Sequence, residues 1–234
     1  MSPSTTLRPN GMHHIALATA KIKDQIEYFS DVLGARLVGF YWMHGTEGAW
    51  HAFLELSASS TVALVYTPEI KDIPTSLGVT HARTPGHPTA AGTLQHFAFN
   101  VDNDEQLLAM RDRIRSRGIP AFGPIDHGMC KSVYFAGLEG LVLEVSTSRQ
   151  AIDPKVWIDQ EVVQLAGISR EELARYKNPP AFVAKNGPVP QPAWNPDKPH
   201  MNYDAPIYQA MLGMTDQQLS ASADFSAPPK NPAP

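Results

Sequence analysis

The chain has 234 residues, enough for one large domain or two small ones with a real core. Its 43% hydrophobic and 18% charged content reads as globular, not disordered. A net charge of -4 with scattered Lys and Arg argues against a nucleic-acid partner. No run approaches the roughly 20 apolar residues that span a bilayer, so no membrane partner is expected. Cys130 is the one cysteine, which excludes an internal disulfide and a cysteine-based zinc cage. Met1–Thr6 lacks the apolar run of a signal peptide, so a cytoplasmic location is expected.

The first element is the alternating run His14-Ile15-Ala16-Leu17, which reads as a strand. Ile22, Ile26, Phe29, Val32 and Leu33 follow with helical spacing, and Gly34 is a good C-cap. Strands are then expected at Arg36–Phe40, Ala52–Leu56 and Thr61–Tyr66. After a Pro-, Gly- and His-rich stretch from Thr67 to Thr93, the order repeats. His96-Phe97-Ala98-Phe99 opens it, Leu107, Leu108 and Ile114 mark a helix closed by Gly118, and strands follow at Ile119–Phe122, Ser132–Ala136 and Leu141–Ser146. Two βαβββ units therefore fit residues 11–66 and 94–148. One helix cannot cover both faces of a four-stranded sheet, so the fold expected is α+β, with the two sheets paired around a cleft and the helices outside. The connection between the units is long enough to be functional.

Residues 149–234 form a Pro-rich extension, expected to be mostly irregular with short helices. Ser169-Arg170-Glu171-Glu172 reads as a capping box for a helix through Tyr176, and a second short helix is expected at Pro206–Leu212. Trp194, His200 and Tyr203 suggest packing over the cleft or on a neighbouring subunit, and residues 229–234 read as a frayed end.

The chemistry lies in the repeat. His14 and His96 open equivalent strands, and Glu144 sits in an apolar strand where an unpaired carboxylate is costly. Aligning Val62-Ala63-Leu64-Val65 with Val142-Leu143-Glu144-Val145 places Leu64 at the position equivalent to Glu144, facing the cleft. The repeat then offers two imidazoles and one carboxylate, a set that suits iron(II) with open positions for substrate and O2. His13 competes with His14, but strand alternation turns it to the other face. Glu55 reads as structural or rim-facing, and a slip in register would make it a fourth ligand.

These units, with His14, His96 and Glu144, resemble the vicinal oxygen chelate superfamily, the glyoxalase/bleomycin resistance/dioxygenase fold. Ile125-Asp126-His127, Val133-Tyr134, Gly140 and Glu144 resemble the signature of type I extradiol ring-cleavage dioxygenases. Gly137-Leu138 depart from it, standing where that family usually has Asp-Pro. The resemblance covers residues 11–148 and points to the small members, with one pair of units instead of two. It implies Fe(2+), or Mn(2+), on His14, His96 and Glu144, and a small aromatic diol and O2 as partners. His127 and Tyr134 would hydrogen-bond the substrate oxygens. A histidine shortly before the second metal ligand would act as acid/base, His81 matching best and His87 lying nearby. The reaction implied is extradiol cleavage of a catechol-type ring by a homo-oligomer. The alternatives are a glyoxalase- or isomerase-type metal enzyme of the same fold and a metal-free, resistance-type binding protein.

Overall fold

β-Branched and aromatic residues at alternate positions build two four-stranded sheets, and each sheet buries one face under one helix. The computed structural model describes residues 7–183, 187–223 and 225–230. The leader position at Met1–Thr6 and residues 231–234 of the expected frayed end lie outside these. The first sheet contains β1 (His14–Ala18), β2 (Arg36–Trp42), β3 (Trp50–Ser57) and β4 (Ser60–Tyr66), in the order β1-β4-β3-β2. The second contains β5 (Phe97–Asn100), β6 (Ala121–Asp126), β7 (Lys131–Ala136) and β8 (Val142–Thr147), in the order β5-β8-β7-β6. In both, the first strand runs parallel to the last and the other pairs are antiparallel. Helices α1 (Ile22–Asp31) and α2 (Asp104–Ser116) follow the first strand of each unit. The two βαβββ units of the sequence are therefore the two sheets of the structure.

Register corrects one expectation. Ala16 pairs with Ala63 and Ala98 with Glu144, while Phe53 pairs with Ala63 and Tyr134 with Glu144. Ala63, not Leu64, is the position equivalent to Glu144. Leu64 is fully buried in the core with Val62, Leu143 and Val145. The first unit still offers no carboxylate there, because alanine cannot bind a metal.

One hydrophobic cluster joins the units, with Phe29, Leu54 and Leu64 from the first and Leu107, Ile114 and Leu143 from the second, all almost fully buried. Helix α1 has no side-chain cap of its own at Lys21. The second unit supplies charge at both of its ends. Glu139 accepts from the Ala20 N–H and the Gln25 amide, each at 2.9 Å, and from the Thr19 hydroxyl. Arg113 donates to the carbonyls of Val32 at 2.9 Å and Asp31 at 2.8 Å. An acid at the entry and a base at the exit also oppose the helix dipole. Glu139 holds a left-handed φ of 53°, uncommon for a residue with a Cβ. Glu139→Ala would leave three donors without their acceptor. It is expected to cost about 1–3 kcal/mol in urea unfolding, and an unchanged midpoint would show that the clamp contributes nothing.

The turn that carries Glu139 explains the departure at Gly137. A Cβ there would lie 2.9 Å from the Leu141 Cβ and 3.0 Å from the Leu143 Cδ1, so the close approach requires glycine.

The chain divides into two compact units. The first, Pro9–Met43 with Gly48–Pro179, holds both sheets and the short helices α3 (Pro154–Trp157), α4 (Gln160–Leu165) and α5 (Arg170–Lys177). The capping box at Ser169 and Glu172 is present at the start of α5. The second unit draws on parts of Met1–Arg8, His44–Glu47 and Pro180–Pro234, with α6 (Ala205–Leu212) and α7 (Asp216–Ser222). Its aromatics pack on one another: His200 lies 6.0 Å from Trp194 and 6.4 Å from Tyr208, ring to ring. Among the described residues, no helix is long and apolar enough to cross a membrane.

Candidate metal centre

His96 stands one residue ahead of β5, and Glu144 lies on the neighbouring strand β8. Their side chains meet, with Nε2 2.9 Å from Oε2. The Glu144 carboxylate is 6% exposed, so whatever faces it decides its cost.

The proton positions follow from Gln95. Its Nε2 donates to the carbonyl of Pro85 at 2.7 Å and lies near those of Thr84 and His87. That fixes the amide, so its Oε1 is the atom turned to Nδ1 of His96. An amide oxygen only accepts, so Nδ1 carries the hydrogen. A neutral His96 then presents a lone pair on Nε2 to Oε2 of the Glu144 carboxylate. Two acceptors at 2.9 Å need a cation between them, either a proton on His96 or a metal. Ligands about 2.0–2.2 Å from one ion, and about a right angle apart, are separated by about 2.8–3.1 Å. The pair therefore fits a divalent metal. Gln95 is the outer partner that orients a histidine ligand. Ser146 donates its hydroxyl to Glu144, and Ser132 lies 2.8 Å from Ser146, oxygen to oxygen.

His14 opens β1 and has the same pose in its own unit. Its ring meets Phe53 edge-on at 6.0 Å, as His96 meets Tyr134 at 6.0 Å. Its Nδ1 lies 2.9 Å from Nδ1 of His13. Among the described residues, no three His, Cys, Asp or Glu side chains gather into a metal-binding group, so His14 stands apart from the pair. Glu55 is bound to Arg36 at 2.8 Å, away from any ligand role.

Tyr134 pairs with Glu144 across the ladder, and its hydroxyl lies 3.2 Å from Nε2 of His127 at the end of β6. Burial raises the Tyr134 phenol above its ordinary pKa, and the nearby Glu144 carboxylate raises it further. It therefore stays protonated through neutral pH and remains a donor.

His81 lines a cavity of about 300 Å³ with His96, Gln95, Gly140 and the β1 residues Ala16 and Ala18. Its ring lies against Gly140, and its Nδ1 is 2.9 Å from the Thr80 hydroxyl. His87 does not line this cavity and bonds instead to the Thr84 hydroxyl at 2.7 Å.

Sequence reasoning missed Gln95, Ser132, Ser146 and His51. His51 lies on β3, 4.4 Å from Phe53 ring to ring, with a buried Nε2 that has no partner among the described residues. Its pKa is lowered by burial and then by His14. The adjacency Gln95-His96 was the one available signal, since a ligand histidine needs an outer partner.

The Glyoxalase/Bleomycin resistance protein/Dioxygenase superfamily model matches residues 11–145, both βαβββ units. The chain belongs to this superfamily. Biphenyl-2,3-diol 1,2-dioxygenase 2 of Rhodococcus globerulus is 29% identical over 133 residues, 56% of this chain and 60% of the relative. The chain thus spans less than two thirds of that relative. A glyoxylase/bleomycin resistance protein/dioxygenase domain from Frankia sp. EAN1pec is 13% identical, with TM-score 0.47, over 61% of this chain and 100% of that one. The fosfomycin resistance protein FosX of Listeria monocytogenes, solved with Mn(II) and sulfate, is 16% identical, with TM-score 0.41, over 60% of this chain and 94% of that one.

Proposed function

We propose that this superfamily member is an extradiol dioxygenase, which opens the ring of a catechol-type diol with O2 at iron(II) held by His96 and Glu144, which already meet, and by His14, which stands apart from them here and would have to close on the metal. The observation that carries this reading is the approach of His96 Nε2, just ahead of β5, to Oε2 of the buried Glu144 on β8 at 2.9 Å. The relative named as a biphenyl-diol dioxygenase supports it. Ala63 and the ion-paired Glu55 leave the first unit without a carboxylate ligand, which favours three protein ligands over the four of a glyoxalase-type site.

When bound, iron(II) would supply Lewis acidity that lowers a diol hydroxyl pKa, and a path for electrons to O2. The protein does the rest. Gln95 holds the His96 ring so that Nε2 faces inward. Tyr134, protonated at neutral pH, donates to a substrate oxygen, and His127 Nε2 fixes the direction of its hydroxyl. His81 lines the same cavity as His96 and is placed to move a proton, which suits a histidine near neutral pH.

The test is anaerobic loading with iron(II), then with manganese(II), followed by O2 uptake with catechol, methylcatechols and biphenyl-2,3-diol. One O2 consumed per diol and a yellow ring-fission product are expected. A metal-loaded protein that consumes no O2 but isomerises a hemithioacetal would favour the glyoxalase reading, and one that binds diols with no metal would favour a binding protein. Tyr134→Phe removes one hydrogen bond to a charged oxygen. It is expected to lower kcat/KM about 10–100-fold while metal content stays unchanged. Wild-type kinetics in that variant would remove Tyr134 from the site.

A further inference from the structure

The hydrogen bonds behind Glu144 all run in one direction. Residues two apart on a strand share a face, so Ser146 stands beside Glu144 on β8, and Ser132 faces Ser146 across the β7–β8 ladder. An ionised carboxylate only accepts, and a serine hydroxyl has one hydrogen to give. Ser146 spends it on Oε1 of Glu144. It can then only accept from Ser132, 2.8 Å away oxygen to oxygen, so the Ser132 hydrogen points the same way. Cys130 stands behind Ser132, its Sγ 3.8 Å from that hydroxyl. Both hydroxyl hydrogens are thereby turned toward the carboxylate, and each bond polarises the next. Ser132 is fully buried, so water does not compete for its hydroxyl.

The first unit shows what the serine pair accompanies. Its ladder places Ala63 where the second unit has Glu144, Val65 where it has Ser146, and His51 where it has Ser132. The unit without the acid is also without both hydroxyls.

The pair fixes how the carboxylate can meet a cation. Oε1 is committed to Ser146, while Oε2 faces His96 Nε2 at 2.9 Å. One oxygen is left to offer. That matters for the chemistry proposed above. An ion held through one atom each by His14, His96 and Glu144 keeps a face of positions open, enough for both oxygens of a diol and for O2. A carboxylate bound through both oxygens would take one of those positions.

We propose that Ser146, backed by Ser132, is a positioning residue that makes Glu144 a one-oxygen ligand and so keeps free the position that O2 needs beside a chelated diol. The role rests on the metal reading of the proposed function.

The test uses the full-length protein, Mn(II) as the probe and isotope-labelled glutamate. The antisymmetric and symmetric stretches of a carboxylate are widely separated when one oxygen binds a metal, and closer together when both do. Infrared difference spectra between the Mn(II)-loaded and metal-free protein therefore report the binding mode without turnover. A wide separation is expected in the wild type and a narrow one in Ser146→Ala. Ser146→Thr, which restores the hydroxyl, should return the wide separation. In the iron(II) protein, Ser146→Ala should raise KM for O2 about tenfold and leave the anaerobic affinity for catechol near wild type. Ser132→Ala leaves Ser146 without its donor and free to turn, so it should narrow the separation part of the way. It supplies the test if Ser146→Ala fails to fold. A wide separation in both alanine variants would overturn the role and leave a plain cross-strand contact. A narrow separation in the wild type would overturn it as well, since Glu144 would then bind through both oxygens with Ser146 in place. A wild-type chain that takes up no Mn(II) would instead overturn the metal reading itself, and the role with it.

Discussion

Glu144→Gln is expected to remain folded and to bind no metal, whereas the wild-type chain is expected to take up one iron(II). The argument rests on protons. In the wild type, His96 Nε2 and Glu144 Oε2 face each other at 2.9 Å, and Gln95 fixes the His96 hydrogen on the far nitrogen. A glutamine amide at position 144 would donate to Nε2 and replace the missing cation with a neutral hydrogen bond. The variant should therefore lose metal without losing its fold. Excess iron(II) at about a hundredfold over Kd stabilises the wild type by about 2.7 kcal/mol. For a chain of this size that raises Tm by about 5–11 °C. Glu144→Gln should show no rise, and elemental analysis should find no iron. His96→Ala should behave alike. His14→Ala should also lose stoichiometric iron while remaining folded, and retention there would reduce the protein ligands to two. Full occupancy in Glu144→Gln would sink the metal assignment. A large loss of stability in metal-free Glu144→Gln would instead mark the pair as a buried ion pair with His96 protonated.

The repeat was legible because each unit opens with a histidine and an alternating strand, and closes its helix with Gly34 or Gly118. Register was not legible in β4. Val62-Ala63-Leu64-Val65 is apolar on both faces, so alternation cannot say which side faces the core. The structure answers through pairing: Ala63 sits opposite Ala16 and Phe53, and Leu64 fills the core. In β8 the Glu at 144 breaks the apolar run and reveals its face at once. The strand expected at Ile119–Phe122 was ended too early. Gly123-Pro124 reads as a break, yet β6 is an edge strand, where a missing N–H need not cost a ladder bond. The strand therefore runs Ala121–Asp126 and carries the chain up to His127.

Within the site, the residues with strong chemical signatures were readable and the quiet ones were not. Histidine and a carboxylate in apolar strands demand partners, so His96 and Glu144 stand out. Gln95, Ser132 and Ser146 act only by holding other groups, and nothing in their own pattern distinguishes them from surface polar residues. Glu139 is the same kind of case. Its carboxylate reaches the entry of α1 from far along the chain, in a turn where local sequence shows only a charged residue between Leu138 and Gly140.

His81→Phe is expected to keep iron, to bind catechol anaerobically, and to lose turnover by about 10²–10⁴-fold, the worth of a positioned proton-transfer group. The ring of His81 shares a cavity with His96 and leans on Gly140, so phenylalanine can occupy its space while removing its proton. Neither metal nor diol needs that proton in order to bind. The loss should therefore appear in kcat and leave the anaerobic diol affinity near wild type. His87 is the control. It lies on the same loop but bonds to Thr84 and does not line the cavity. If the loop matters only as a structural cover, the two substitutions should be similarly harmful and should disturb diol binding as well. If His81 is the acid/base, His87→Phe should be near wild type. A crippled His87→Phe beside an active His81→Phe would move the role to His87. Normal turnover in both would remove the proton donor from the extradiol reading and strengthen that of a small-molecule-binding protein.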